Sequence, residues 1–203
     1  MVPKISRTEL YDYWQHGGAG ENAPEVYIPS SGKNELLLKF VEKYIDPDDK
    51  ILEVGCNVGR SLNFLFNAGY NKLAGVEFSK EAVDLMKKTY PGMVKSAKIY
   101  NTPIEEVIKN FKNDAFDTLF TVAAFQCIHP DSNFIFPEIA RITKKYLISI
   151  ENETGRGSDR NFPRNYKKIF ERLGMEQVDQ FNCKEIESLG ADFWVRVFKK
   201  HDE

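Results

Sequence analysis

Apolar and polar positions alternate along this chain in blocks whose period switches between that of a helix and that of a strand. The first block, 7–15, carries Leu10, Tyr11 and Trp14 on one helical face. Positions 16–31 are rich in Gly, Ala and Pro and predict a loop. Helical spacing returns over 33–44 with Leu36, Leu37, Phe40, Val41 and Tyr44, and Pro47 ends it. Short apolar runs at 51–54, 72–77, 96–100, 116–122 and 146–150 then predict strands. Helical stripes at 60–66, 80–90, 103–111 and 166–173 lie among them, the third opened by Pro103 and the last ended by Gly174. Two final strands are expected at 176–181 and 192–198. Such alternation predicts a parallel sheet with both faces covered, whose ligands sit beyond the C-terminal strand ends.

The most informative junction runs from Ile51 to Arg60, Ile-Leu-Glu-Val-Gly-Cys-Asn-Val-Gly-Arg. A buried strand passes through a glycine turn into a helix, which aims unpaired backbone N–H groups at a ligand above the strand. A phosphate-binding P-loop would need Gly-x-x-x-x-Gly-Lys-Ser/Thr, and a dinucleotide fingerprint would need a third glycine; neither is present. Glu53, two residues before Gly55, would repel a pyrophosphate and attract an ammonium. S-adenosylmethionine (SAM) has an ammonium, a sulfonium and no phosphate, so Glu53-x-Gly55-x-x-x-Gly59 favours it on charge. Glu77 ends the next strand, about 20 positions after the glycine turn, where an acidic residue accepts ribose hydroxyls. Phe78 follows, and Ser79 caps the next helix.

In this order, Leu52-Glu53-Val54-Gly55-Cys56-Asn57-Val58-Gly59, Gly75-Val76-Glu77-Phe78-Ser79 and Phe116-Asp117-Thr118-Leu119-Phe120-Thr121-Val122-Ala123 resemble the motifs of the class I SAM-dependent methyltransferases, over about 50–199. The resemblance implies a single-domain α/β fold, a Rossmann-like three-layer sandwich whose seven-stranded sheet is mostly parallel with an antiparallel last strand. Residues 46–203 would be the SAM-binding core and 1–45 a helical lid. It implies that Glu53, Gly55, Cys56, Asn57, Gly59 and Arg60 hold the methionine end of SAM and of the product S-adenosylhomocysteine. Glu77 would hold the ribose and Phe78 the adenine, with Ser79, Thr102, Pro103 and Thr121 completing the cofactor site. Many family members have an acidic residue where this chain reads Asn101-Thr102-Pro103. Cys127 occupies the family's histidine position, and His129 falls two residues later.

Candidate acceptor chemistry lies in three places. His129 is a candidate general base, against the alternative of a loop histidine ahead of Pro130. Cys127 reads as a small buried residue and Asp117 as structural. The fifth strand runs into Glu151 and Asn152, and residues 155–168 hold five cations and one anion. Arg156, Arg160 or Arg164 would orient an anionic substrate with Glu151 or Asn152 near the acceptor hydroxyl, unless the arginines simply pair with Glu151 and Glu153. The aromatic N-terminal piece, with Tyr11, Trp14 and His16, would stack on the acceptor or pack on the sheet edge.

Composition narrows the field. At 203 residues, 42% hydrophobic and 13% aromatic, the chain suits one domain with a sizeable core, and a net charge of −2 gives no reason to expect nucleic acid. The three widely spaced cysteines argue against disulfides and structural zinc, so no metal is expected. No apolar run is long enough for a membrane span and no signal-peptide pattern opens the chain, so a cytoplasmic monomer or homodimer is expected. The sequence therefore predicts a SAM-dependent methyltransferase acting on a small molecule, on oxygen rather than nitrogen, with an anionic or sugar-related acceptor. The alternatives are a non-catalytic SAM-binding scaffold or sensor and an NAD-linked oxidoreductase.

Overall fold

The computed structural model describes residues 5–16, 20–29 and 32–201. Helix α1 (Arg7–Gln15) begins in a reciprocal cap, Glu9 N–H donating to Ser6 Oγ and Ser6 N–H to the Glu9 carboxylate. Much of the predicted loop is ordered, with 3-10 turns at Gly20–Asn22 and Pro24–Tyr27; positions 17–19, 30 and 31 of it lie outside the described residues. The chain continues through α2 (Gly32–Tyr44), β1 (Ile51–Val54), α3 (Arg60–Asn67), β2 (Leu73–Val76), α4 (Lys80–Thr89), α5 (Pro91–Ser96) and β3 (Lys98–Tyr100). Then come α6 (Ile104–Val107), β4 (Phe116–Val122), α7 (Ile135–Ile142), β5 (Thr143–Asn152), α8 (Tyr166–Arg172), β6 (Met175–Asn182) and β7 (Phe193–Lys200).

The seven strands form one sheet in the order β3-β2-β1-β4-β5-β7-β6. All neighbours are parallel except β7, which runs antiparallel to both β5 and β6. Strand pleating splits the apolar residues between two faces. Ile51, Phe120, Ile148, Ile150, Val195 and Val197 join one core with α2, α3, α4 and α5. Leu52, Leu119, Leu147 and Phe198 join the other with α6, α7 and α8. This is the expected three-layer sandwich.

Local readings differed where tertiary pairing or helix capping decided. Pro91 opens α5 where the sequence reading passed from helix directly to strand, because a proline at N1 costs no hydrogen bond. The stripe Ile135, Phe136, Ile139 and Ile142 forms α7, which the strand–helix reading passed over. The helix expected over 103–111 tightens into a 3-10 turn after Val107. Strand β5 is longer than its apolar run, because it pairs on both sides and draws polar Glu151 and Asn152 into the sheet. No helix among the described residues is long and apolar enough to cross a membrane.

Candidate active site

The turn between β1 and α3 is built from left-handed backbone, with φ of 74° at Gly55, 47° at Asn57 and 73° at Gly59. Both glycines are required on steric grounds as well. A Cβ at Gly55 would lie 2.5 Å from Ala124 Cβ, and one at Gly59 would lie 2.8 Å from Met86 Cγ. Glu77, at the end of β2, fixes the same turn: its carboxylate accepts Asn57 N–H at 2.9 Å and Ser79 N–H at 2.7 Å. Burial nevertheless raises the Glu77 carboxyl, because desolvation outweighs those donors. Glu53 is buried too, and burial pushes its carboxyl well above the carboxylate range. Glu53 Oε2 and Asn57 Oδ1 are buried without a protein partner.

Above these strand ends opens a cleft of about 470 Å³, within the usual size of small-molecule sites. Glu53, Gly55, Cys56, Asn57, Arg60, Glu77, Phe78, Ser79 and Thr102 line it, while Gly59 stands behind the turn against Met86 and Met93. The N-terminal segment forms the opposite wall through Tyr11, Trp14 and Tyr27. Tyr11 lies 5.5 Å from Phe78, ring centre to ring centre, and burial raises its hydroxyl pKa. Asn22 ties the segment to itself, donating to Tyr13 Oη at 2.9 Å and accepting from Tyr27 Oη at 3.1 Å. Cys127 lines the cleft, its thiol pushed up to about 12 by burial, which leaves it a protonated packing residue.

Several expected site residues do other work. Glu151 is fully buried outside the cleft lining and caps the loop after β4. Its Oε1 accepts Thr121 Oγ1, Ala124 N–H and Phe125 N–H at 2.7, 2.9 and 3.0 Å, and its Oε2 accepts Gln126 N–H at 3.1 Å. Thr121 is thereby committed to Glu151 rather than to the cleft, and Pro103 starts α6 behind Thr102. Asn152 caps its own turn by accepting Gly155 N–H, its N–H donating to Gln126. Arg164 donates to the carbonyls of Phe125, Phe162 and Ile128 and to Asn133 Oδ1, a brace with no guanidinium left for a substrate. Arg156 is exposed and outside the lining, as is His16, which bonds Asp12 in its own helix. The arginines do not pair as the alternative supposed either; Glu153 takes Arg196 instead.

His129 does line the cleft, yet both ring nitrogens are engaged. Nδ1 accepts Asp131 N–H at 3.2 Å, which places the ring proton on Nε2, 3.3 Å from the Ile5 carbonyl. The ring latches the N-terminal segment and has no nitrogen free for a substrate proton. Asp117 stands at the far end of β4 and accepts Lys50 N–H. Of the loop cations only Arg160 reaches the cleft, stacked 4.4 Å over Tyr13.

The sequence reading missed Lys33, Asn22, Glu105, Asn161 and Phe193, all in the lining. Glu105, in the first turn of α6, brings a carboxylate to the cleft a few residues after Asn101-Thr102-Pro103. Lys33 was hidden because a lysine beginning an amphipathic helix reads as solvated.

Residues 52–147 match the family model described as Methyltransferase domain. That match and the fold are those of the class I SAM-dependent methyltransferases. Over those residues the chain carries a methyltransferase domain, and SAM is the cofactor of the class that this domain matches. Among solved structures, Burkholderia thailandensis 1,6-didemethyltoxoflavin-N1-methyltransferase, bound to its substrate and S-adenosylhomocysteine, superposes with a TM-score of 0.71 at 12% identity, over 100% of this chain and 93% of that one. Geranyl diphosphate C-methyltransferase from Streptomyces coelicolor gives 0.69 at 12% identity, over 84% and 79%. A curated zebrafish (Danio rerio) protein, eEF1A lysine and N-terminal methyltransferase, is 34% identical over 79 residues, 38% of this chain. That match spans only 11% of the zebrafish protein's length.

Proposed function

We propose that this methyltransferase acts on a small-molecule acceptor, on oxygen in preference to nitrogen, beneath a lid formed by its N-terminal segment. The observation that carries the reading is the cleft of about 470 Å³ above the strand ends, whose lining includes Tyr11, Trp14 and Tyr27 of the N-terminal segment. The N-terminal wall of that cleft is tied down by the Asn22 bonds and by His129 on Ile5, which bounds the acceptor space on that side. The sequence after β4, Ala124-Phe125-Gln126-Cys127, also lacks the Asp/Asn-Pro-Pro-Tyr/Phe arrangement of exocyclic-amine methylation. Two of the structural neighbours, by their names, methylate small molecules.

The residues fit SAM. Glu53 Oε2 is a buried acceptor without a partner, suited to an ammonium, and Asn57 Oδ1, in the turn after β1, is a second orphaned acceptor. Glu77 keeps lone pairs that would take ribose hydroxyls after accepting two amides, and Phe78, Tyr11 and Glu105 line the part of the cleft that would hold the adenine. When bound, the cofactor supplies a methyl group activated on sulfonium. The protein's part is then to hold the acceptor atom in line and exclude water. Glu151 and Arg164 act on that geometry indirectly, by fixing the loop 124–128 that forms one cleft wall.

The test is an assay with methyl-tritiated SAM against hydroxy acids, sugars, amines and a lysine-containing peptide. The reading expects label to leave with a small hydroxylated compound, detected by mass as one added methylene. Label on the peptide alone would refute it.

A further inference from the structure

We propose that Lys33 and Arg160 form an anion subsite for the methyl acceptor, so that the acceptor carries a carboxylate or a phosphate. This deepens the methyl-transfer reading above and rests on it.

The cleft is lined by both signs of charge: Glu53, Glu77 and Glu105, with Arg60 beside Glu53, and two further cations, Lys33 entering from α2 and Arg160 from the loop after β5. Among the described residues neither cation makes an ion pair. Arg160 is held by its face on Tyr13, and that ring is itself fixed through Asn22 to Tyr27. A guanidinium stacked this way keeps its in-plane N–H fork for a bidentate oxyanion. Lys33 is half-buried, and desolvation, then the nearby Arg60, hold its ammonium below the usual lysine range. A cation in that setting is stabilised by a bound anion.

A third observation is independent of charge. Trp14 Nε1 is buried without a hydrogen-bond acceptor while its side chain lines the same cleft. A buried indole N–H normally has an acceptor, and an oxyanion between Lys33 and Arg160 would supply one. The other loop cations do not compete, since Arg164 is spent on carbonyls and Arg156 stands outside.

The experiment uses the full chain saturated with S-adenosylhomocysteine, titrated with sodium benzoate, inorganic phosphate and neutral benzamide, and followed by the indole N–H resonances. The proposal expects at least one of the two anions to bind about tenfold tighter than benzamide and to shift an indole resonance. Whichever of benzoate and phosphate binds tighter names the acceptor's anionic group. Lys33→Met and Arg160→Met should each weaken that anion about tenfold, leave S-adenosylhomocysteine affinity within about twofold, and be rescued in part by Lys33→Arg and Arg160→Lys. Equal binding of anions and benzamide, or variants that bind anions like wild type, would overturn it. So would a Lys33→Met variant that loses S-adenosylhomocysteine instead, which would give the lysine to the cofactor's carboxylate. Failure of wild type to bind S-adenosylhomocysteine would strike the underlying methyl-transfer reading, not this subsite.

Discussion

Replacing Glu151 with Gln probes how the loop after β4 is held. The carboxylate has no exposed surface and receives three consecutive backbone amides and the Thr121 hydroxyl. Glutamine can keep the carbonyl oxygen for Thr121, Ala124 and Phe125, but it turns an NH₂ group toward Gln126 N–H. One buried donor is then unsatisfied, which costs about 1–3 kcal/mol. Opposing this is the penalty of burying a charge. Burial raises the Glu151 carboxyl to about 7, roughly 2.5 units above its ordinary value, and each unit corresponds to about 1.4 kcal/mol. Since the folded value is the higher one, folding takes up a proton between the two. Glu151's contribution is fully present below about pH 4.5 and is lost as pH rises through 7, by about 3 kcal/mol in total. Urea unfolding from pH 5 to 8 should therefore show wild type losing about 2.5 kcal/mol relative to Glu151→Gln, with Glu53 and Glu77 contributing equally to both proteins. Parallel stability curves for the two proteins across this range would refute the reasoning.

Other substitutions separate the roles assigned above. Gly55→Ala combines left-handed strain of about 1 kcal/mol with a clash against Ala124, so S-adenosylhomocysteine affinity should fall about tenfold or more while far-ultraviolet circular dichroism stays unchanged. Arg164→Met strips three carbonyls of a charged donor and should cost about 3 kcal/mol in urea unfolding, whereas Arg156→Met should cost nothing measurable. Cofactor binding at neutral pH should release protons, because an ammonium on Glu53 favours its ionised form and lowers its raised pKa; calorimetry in buffers of differing ionisation heat reads this, and Glu53→Gln should abolish it.

The fold was legible because its signals are local. A strand, two positive-φ glycines and a helix in ten residues dictate the β1–α3 turn, and Glu53 and Glu77 follow at strand ends where neutral packing would have favoured apolar residues. The acceptor side was not legible, because long-range hydrogen bonds decide it. Nothing between 151 and 164 reveals that Glu151 receives amides some 25 to 27 positions earlier, or that Arg164 braces Phe125 and Ile128 rather than facing a ligand. His129 shows the same limit from the other direction, since its Nε2 is committed to a carbonyl 124 positions away. Lys33 and Glu105 were passed over because each sits in the first turn of a helix, where a charged residue is ordinary.

Isothermal titration of S-adenosylhomocysteine into wild type and Glu77→Gln, with NAD as control, tests the central claim most directly. The cofactor site built on Glu53, Asn57 and Glu77 predicts micromolar binding to wild type, a loss of about tenfold or more in the variant, and no heat from NAD. Folded wild type that binds NAD in place of S-adenosylhomocysteine, or a Glu77→Gln variant with unchanged affinity, would contradict it.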